Sequence, residues 1–274
     1  MKIDSYLDRV GLTKRPDPDL AGLTTLHRAH LRAIPYENLD VQLGHPVTTA
    51  LEPIYEKLVT NRRGGWCYEM NGLFGWALGE LGFRVTRATG AVMRKVIGEG
   101  AHGNHLVLRV EMDEGLYLAD VGFGDGPRDP IAVRPGAFQA NGFEFSLSQV
   151  ESDWWRLHNH PAGGAPSFDF NLAPADETLL KRQCQRLQTA PESPFVQNAV
   201  CQRHVADGLL VLRGRVLRSI TPDRVSERLI ESAADYLEIL REQFALDVPG
   251  MASLWPAICA RHDALFGAVN RSPG

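Results

Sequence analysis

The apolar residues of this chain change period at Phe83. Up to Gly82 they recur with helical spacing, and beyond Phe83 they alternate. Leu20, Leu23, His27, His30, Leu31 and Ile34 share one helical face, and Pro35 ends it. Asp4 can cap a short helix ending near Gly11, and Pro53 suits the first turn of a helix carrying Ile54 and Leu58. Met70, Phe74, Leu78 and Leu81 recur at steps of four, four and three, and Gly82 stops that helix. Past the switch, Leu106, Leu108 and Val110 alternate with His105, Val107 and Arg109, Asp113-Glu114-Gly115 turns, and residues 116–121 return. Phe143, Phe145 and Leu147 alternate in the same way, and Trp154-Trp155 and Phe168/Phe170 continue the β signal. This predicts an antiparallel barrel or sandwich over about 84–173, followed by a helix capped by Asp176. Strands near 200–205, 209–213 and 215–220 and helices over 232–245 and the last twenty residues complete an α+β chain. Three units are expected: a helical one at 1–83, a β-rich one with its connecting helix at 84–187, and one of mixed strands and helices at 188–274.

Composition narrows the function. Of 274 residues, 44% are hydrophobic and 23% charged, as in an ordinary soluble protein, and the net charge of −4 leaves no basic footprint for nucleic acid. The N-terminus lacks the apolar core of a signal peptide, and no apolar run is long enough to span a bilayer. Cys67, Cys184, Cys201 and Cys259 show no CxxC spacing, which fits a reduced, cytoplasmic protein better than a disulfide framework or a zinc site.

One of these cysteines carries a chemical signal. Cys67 follows Gly64-Gly65 and opens a helix, where unpaired N–H groups and the helix dipole favour a thiolate. A cysteine nucleophile needs a base, and the base an orienting acceptor. His105 opens one strand of the hairpin and Asp120 closes the other. A two-residue turn at Asp113-Glu114 pairs position 105 with 122 and puts Asp120 diagonally from His105, whereas a one-residue slip puts them on opposite faces. His102 is a rival base. His27 and His30 read as core residues, and His158 and His160 as exposed ones. Cys67, His102 and His105 match no common zinc spacing. Asp120-Val121-Gly122-Phe123-Gly124-Asp125-Gly126 is a glycine-rich turn with no following Lys-Ser/Thr, so it signals close backbone approach to a ligand or to neighbouring structure rather than a nucleotide P-loop.

Four segments together resemble the arylamine N-acetyltransferase family, bacterial type, in that family's order: Ile34-Pro35-Tyr36-Glu37-Asn38-Leu39-Asp40, Arg63-Gly64-Gly65-Trp66-Cys67-Tyr68-Glu69, His105-Leu106-Val107-Leu108 and Tyr117-Leu118-Ala119-Asp120-Val121-Gly122-Phe123-Gly124. Ser193-Pro194-Phe195 adds a weaker fifth. The resemblance implies an N-terminal helical bundle at 1–83, a central antiparallel β-barrel within 84–187 and a C-terminal α/β lid at 188–274, with a cysteine-protease-like Cys67–His105–Asp120 core, and it prefers His105 over His102. It implies acetyl-coenzyme A as donor and ping-pong transfer through an acetyl-cysteine to aromatic amines and hydrazines, with O-acetylation of arylhydroxylamines as an extension. Phe123 and Phe195 are then expected to wall the acceptor pocket, and Gly124 and Gly126 to admit the coenzyme. Backbone N–H groups at Cys67 and Gly103 are expected to meet the oxyanion, and Glu37 and Arg63 to pair behind the Cys67 loop. No metal, nucleic-acid or membrane partner is expected, and the chain is expected to be a monomer or homodimer. Trp66 and Tyr68 stand where the family usually has Tyr then Phe, and Asn104 where it often has Thr; neither departure removes a triad member. The rival is a cysteine hydrolase or transglutaminase-like enzyme, which uses the same Cys, His, Asp order.

Overall fold

The computed structural model describes residues 1–266. Helix formation follows the caps and stripes in the sequence. Asp19 accepts from Gly22 N–H at 2.7 Å and starts the helix Leu20–Ala33. Asp176 accepts from Thr178 and Leu179 and starts Glu177–Thr189, and Ser232 does the same for Ala233–Phe244. The first helix, Ile3–Arg9, begins before Asp4, so Asp4 sits in its first turn and pairs with Arg15 instead of capping. The helix Leu51–Tyr55 runs on into a π-helical turn, Glu56–Thr60. Of the expected terminal helix, Met251–Phe266 is seen, and residues 267–274 lie outside the described residues.

The strands form two antiparallel sheets. The larger has eight strands in the order Ile131–Ala132, Gly115–Leu118, His105–Met112, Arg84–Val92, Ser167–Pro174, Trp154–His158, Phe143–Gln149 and Gly136–Ala140. It is a curled half-barrel whose two end strands do not pair, and Pro135, which has no N–H to donate, stands between them in sequence. The smaller sheet runs Tyr36–Glu37, Val200–Val205, Gly208–Arg213, Val216–Ile220, Val225–Leu229. Its first strand comes from the helical part of the chain. Residues 36 and 37 are too few to show an alternating period, so nothing in the sequence marks them as β.

Four apolar clusters hold these layers. Tyr6, Leu23, Leu26, Phe74 and Leu78 pack the helices onto Leu108 and Val110 of the large sheet. Phe145, Leu157, Phe168 and Phe170 of that sheet pack together with Leu209, Val211 and Ile220 of the small sheet. Leu39 packs with Leu212, Tyr236 and Phe244. The fourth cluster surrounds Cys67 and draws Tyr36, Trp66, Leu106 and Leu180 from separate segments. Among the described residues no helix is long and apolar enough to cross a membrane.

Candidate active site

Cys67 is the first residue of the helix Cys67–Glu80 and is buried. The chain reaches it through glycines because the approach is close. A Cβ on Gly64 would overlap the Pro35 carbonyl, and one on Gly65 would press on the Glu69 side chain. Glu69 reaches back to accept from Trp66 N–H at 3.2 Å, satisfying one of the helix's orphan donors. The Glu69 carboxylate is itself gripped by Lys57 Nζ at 2.9 and 3.0 Å, and Lys57 also holds Asp40 at 2.8 Å. Arg63 joins Asp40 at 3.0 Å to Glu37 at 2.9 Å, and Glu37 accepts from Leu39 N–H. Five charged side chains thus run in one chain behind the cysteine loop. Burial pushes the Glu69 carboxyl up to about 7 against the pull of Lys57, with Glu37 adding to the push.

The hairpin pairs Arg109 with Leu118 and Met112 with Gly115, the register of a two-residue turn at Asp113-Glu114. His105 Nε2 lies 2.7 Å from Asp120 Oδ2, and both side chains are buried. Asp120 Oδ1 accepts from Gly122 N–H at 2.8 Å and from Asn71 Nδ2 at 2.7 Å. Burial works to raise the Asp120 carboxyl, but His105 and these donors hold it below the usual carboxylate range. Asn71 lies one turn beyond Cys67 on the same helix, and also bonds Leu106 O and Val121 N–H. It ties the cysteine helix to the strand His105–Met112 and to the segment that follows Leu118. A polar residue four places after the cysteine, set within an apolar stripe, is the signal that could have marked it.

Cys67 and His105 line one cavity of about 410 Å³, together with Phe123, Phe195 and Gln202. Phe123 sets its ring edge-on to His105 at 5.9 Å and tilts against Phe168 at 4.7 Å. Phe195 meets Trp66 edge-on at 5.1 Å. Asp120 takes His105 Nε2, so Nδ1 is the nitrogen left for proton transfer at the cavity. Burial pushes the Cys67 thiol well up, against the Leu106 and Tyr68 backbone N–H groups that favour its thiolate. The helix end by itself therefore does not offset the burial of this thiol.

Several expectations are corrected by what the residues touch. Gly103 N–H is donated to Gly90 O at 3.0 Å, and Gly103 O accepts from the Tyr68 hydroxyl at 2.6 Å, so Gly103 has no free donor for an oxyanion. Gly124 and Gly126 do not line the cavity. A Cβ on Gly124 would overlap the Gln202 amide and one on Gly126 would press on the Phe123 ring, so the room at these glycines is taken by neighbouring side chains. His102 stacks on Trp154 at 4.6 Å and pairs with Glu99, away from the cavity lining. His160 is buried against Phe143 rather than exposed, whereas His158 is exposed. His27 and His30 pack on Phe74. Lys57, Asp40 and Glu69 were not singled out from sequence, because partners on separate elements leave no periodic trace. Among the described residues no group of three or more His, Cys, Asp or Glu is placed to hold a metal ion.

The chain is similar to known proteins over most of its length. The family model described as N-acetyltransferase matches residues 19–253. The arylamine N-acetyltransferase of Mycolicibacterium smegmatis is 36% identical over 259 residues, spanning 92% of this chain and 94% of the relative. A solved structure of the M. smegmatis arylamine N-acetyltransferase superposes with a TM-score of 0.85 at 34% identity, covering 95% of this chain and 98% of that one. The Mycobacterium marinum arylamine N-acetyltransferase in complex with CoA superposes with a TM-score of 0.82 at 31% identity, covering 96% of this chain and 99% of that one.

Proposed function

Because the chain belongs to the N-acetyltransferase family, we propose that Cys67, His105 and Asp120 serve it as nucleophile, base and orienting carboxylate. The chain is an acyltransferase, and its reaction is the acetyl-CoA-dependent N-acetylation of arylamines. The observation that carries the residue assignment is the 2.7 Å His105–Asp120 contact at a cavity that Cys67 also lines.

In the first half-reaction His105 Nδ1 holds the proton of Cys67, and the thiolate attacks the thioester carbonyl of the donor. The N–H of Cys67, at the helix end, faces the charge that develops on the carbonyl oxygen. Collapse breaks the C–S bond to the coenzyme, whose sulfur takes the proton from His105, leaving acetyl-Cys67. In the second half the amine attacks acetyl-Cys67, His105 Nδ1 accepts its proton, and the Cys67 thiolate leaves. Asp120 stays ionised, orients the ring and favours its charged form. Phe123 and Phe195 present aromatic faces to a flat aryl acceptor. Arg186, also in the lining, supplies a cation for a phosphate-bearing donor.

Arylhydrazines, and arylhydroxylamines by O-acetylation, are further acceptors under this reading. The division into 1–83, 84–187 and 188–274 is kept as a proposal, with residues 36–37 lent to the third unit's sheet. A monomer or homodimer in a reducing cytoplasm suits the four free thiols. The test is mass spectrometry after incubation with acetyl-CoA. The expected result is one added acetyl group on Cys67, absent in Cys67→Ser and discharged by aniline. Peptide cleavage without acetylation would instead establish the hydrolase.

A further inference from the structure

Gln202 is a polar side chain in the cavity wall that acetyl transfer leaves unused. It lies in the strand Val200–Val205, opposite Tyr36, and is only 9% exposed. Its amide bonds to no side chain or backbone group among the described residues. It rests over Gly124, whose φ of +91° and missing Cβ make the room, and so stands one residue from Phe123. Asp125 lines the same cavity, but its oxygens are already taken by Asn159 Nδ2 and Gly164 N–H. The amide therefore stands in the cavity wall with both its donor and its acceptor free of protein partners, open to a ligand or to solvent.

We propose that Gln202 sets acceptor specificity by hydrogen-bonding a neutral polar substituent, a carboxamide or carbonyl carried on the aryl ring, while the ring lies against Phe123. The proposal rests on the acetyl-transfer reading. A primary amide offers one acceptor oxygen and two donors, which complements another amide and not a lone cation. A wall built to pair with such a group discriminates against the analogue that lacks it, because the amide is then left unpaired.

The test compares kcat/KM for para-aminobenzamide and for aniline, with acetyl-CoA saturating, in the wild type and in Gln202→Leu. The wild type is expected to favour the amide-bearing acceptor, and the ratio should fall about tenfold in the variant. A ratio is indifferent to a general loss of activity. Gln202→Met removes the amide at nearly equal length and replaces the leucine variant if that one does not fold. An unchanged ratio overturns the proposal. So does an unchanged ratio accompanied by a raised KM for acetyl-CoA, which would assign the amide to the coenzyme's pantetheine arm. If the wild type forms no acetyl-Cys67 before any acceptor is added, the underlying reading fails, and the proposal with it.

Discussion

At the scale of single residues, the thiol of Cys67 is set by two opposed effects. Burial favours the neutral thiol, while the Leu106 and Tyr68 backbone N–H groups favour the thiolate, and the proposed mechanism adds the imidazole of His105 on their side. Under that mechanism His105 depends in turn on Asp120, whose charge is secured by the imidazole and by Asn71 and Gly122. Alkylation rate against pH should show wild-type Cys67 reacting well below the free-cysteine range of about 8.5. In His105→Ala the transition should move above that range, because burial then acts without its counterweight. Asp120→Asn should move it in the same direction and slow acetyl-enzyme formation by about a hundredfold or more, as loss of an orienting acceptor does. A profile unmoved by His105→Ala would remove the ion pair from the mechanism. Cys67, His105 and Asp120 could be picked out from the sequence as candidates because each sits near an element boundary that turns and periods reveal. Asn71 was not, since its partners, Leu106 and Asp120, are more than thirty residues away.

At the scale of elements, the helix Cys67–Glu80 depends on a charged chain that the sequence showed only at one end. The Glu37–Arg63 contact falls between two neighbouring motifs and could be guessed. Lys57 could not, because it leaves the helical period inside a π-helical turn. The carboxyl of Glu69 gives this device a pH signature. Its folded pKa of about 7 is above the ordinary 4.5, so the folded state holds this proton more tightly than the unfolded chain. Its contribution to stability is complete below the unfolded value and declines as pH rises through about 7. Glu69→Gln removes the titration and keeps an oxygen for Trp66 N–H. Urea unfolding at pH 5 and pH 7 should show the stability of the wild type, relative to this variant, shrinking as pH rises. A difference that grows with pH would mean that Lys57, not burial, controls Glu69.

At the scale of the whole molecule, the site exists only where distant segments meet, and Asn38 makes that junction. Helical periods and β alternation gave the order of helices and strands, but neither reports which strand crosses to which sheet. Residues 36–37 join the sheet built from residues 200–229, and Asn38 follows them directly. Its buried side chain donates to Phe195 O and Asn198 O, both at 2.8 Å, and accepts from Val200 N–H at 2.8 Å. Gln42 adds a second donor to Phe195 O. The backbone that carries Phe195 into the cavity is therefore held by residues more than 150 positions earlier in the chain. Asn38→Ala leaves buried backbone groups without partners, at a cost of about 2–5 kcal/mol for the group of bonds. The melting temperature should fall accordingly. In the folded fraction Phe195 loses part of its anchor, whereas Cys67, His105 and Asp120 keep theirs, since Asn38 bonds none of them. The KM for an aryl acceptor should then rise more than the rate of Cys67 acetylation falls, and pre-steady-state kinetics separate the two. If both half-reactions decline together, the junction supports the catalytic residues themselves. If neither changes and the protein melts as the wild type does, Asn38 is not what holds the Phe195 wall in place.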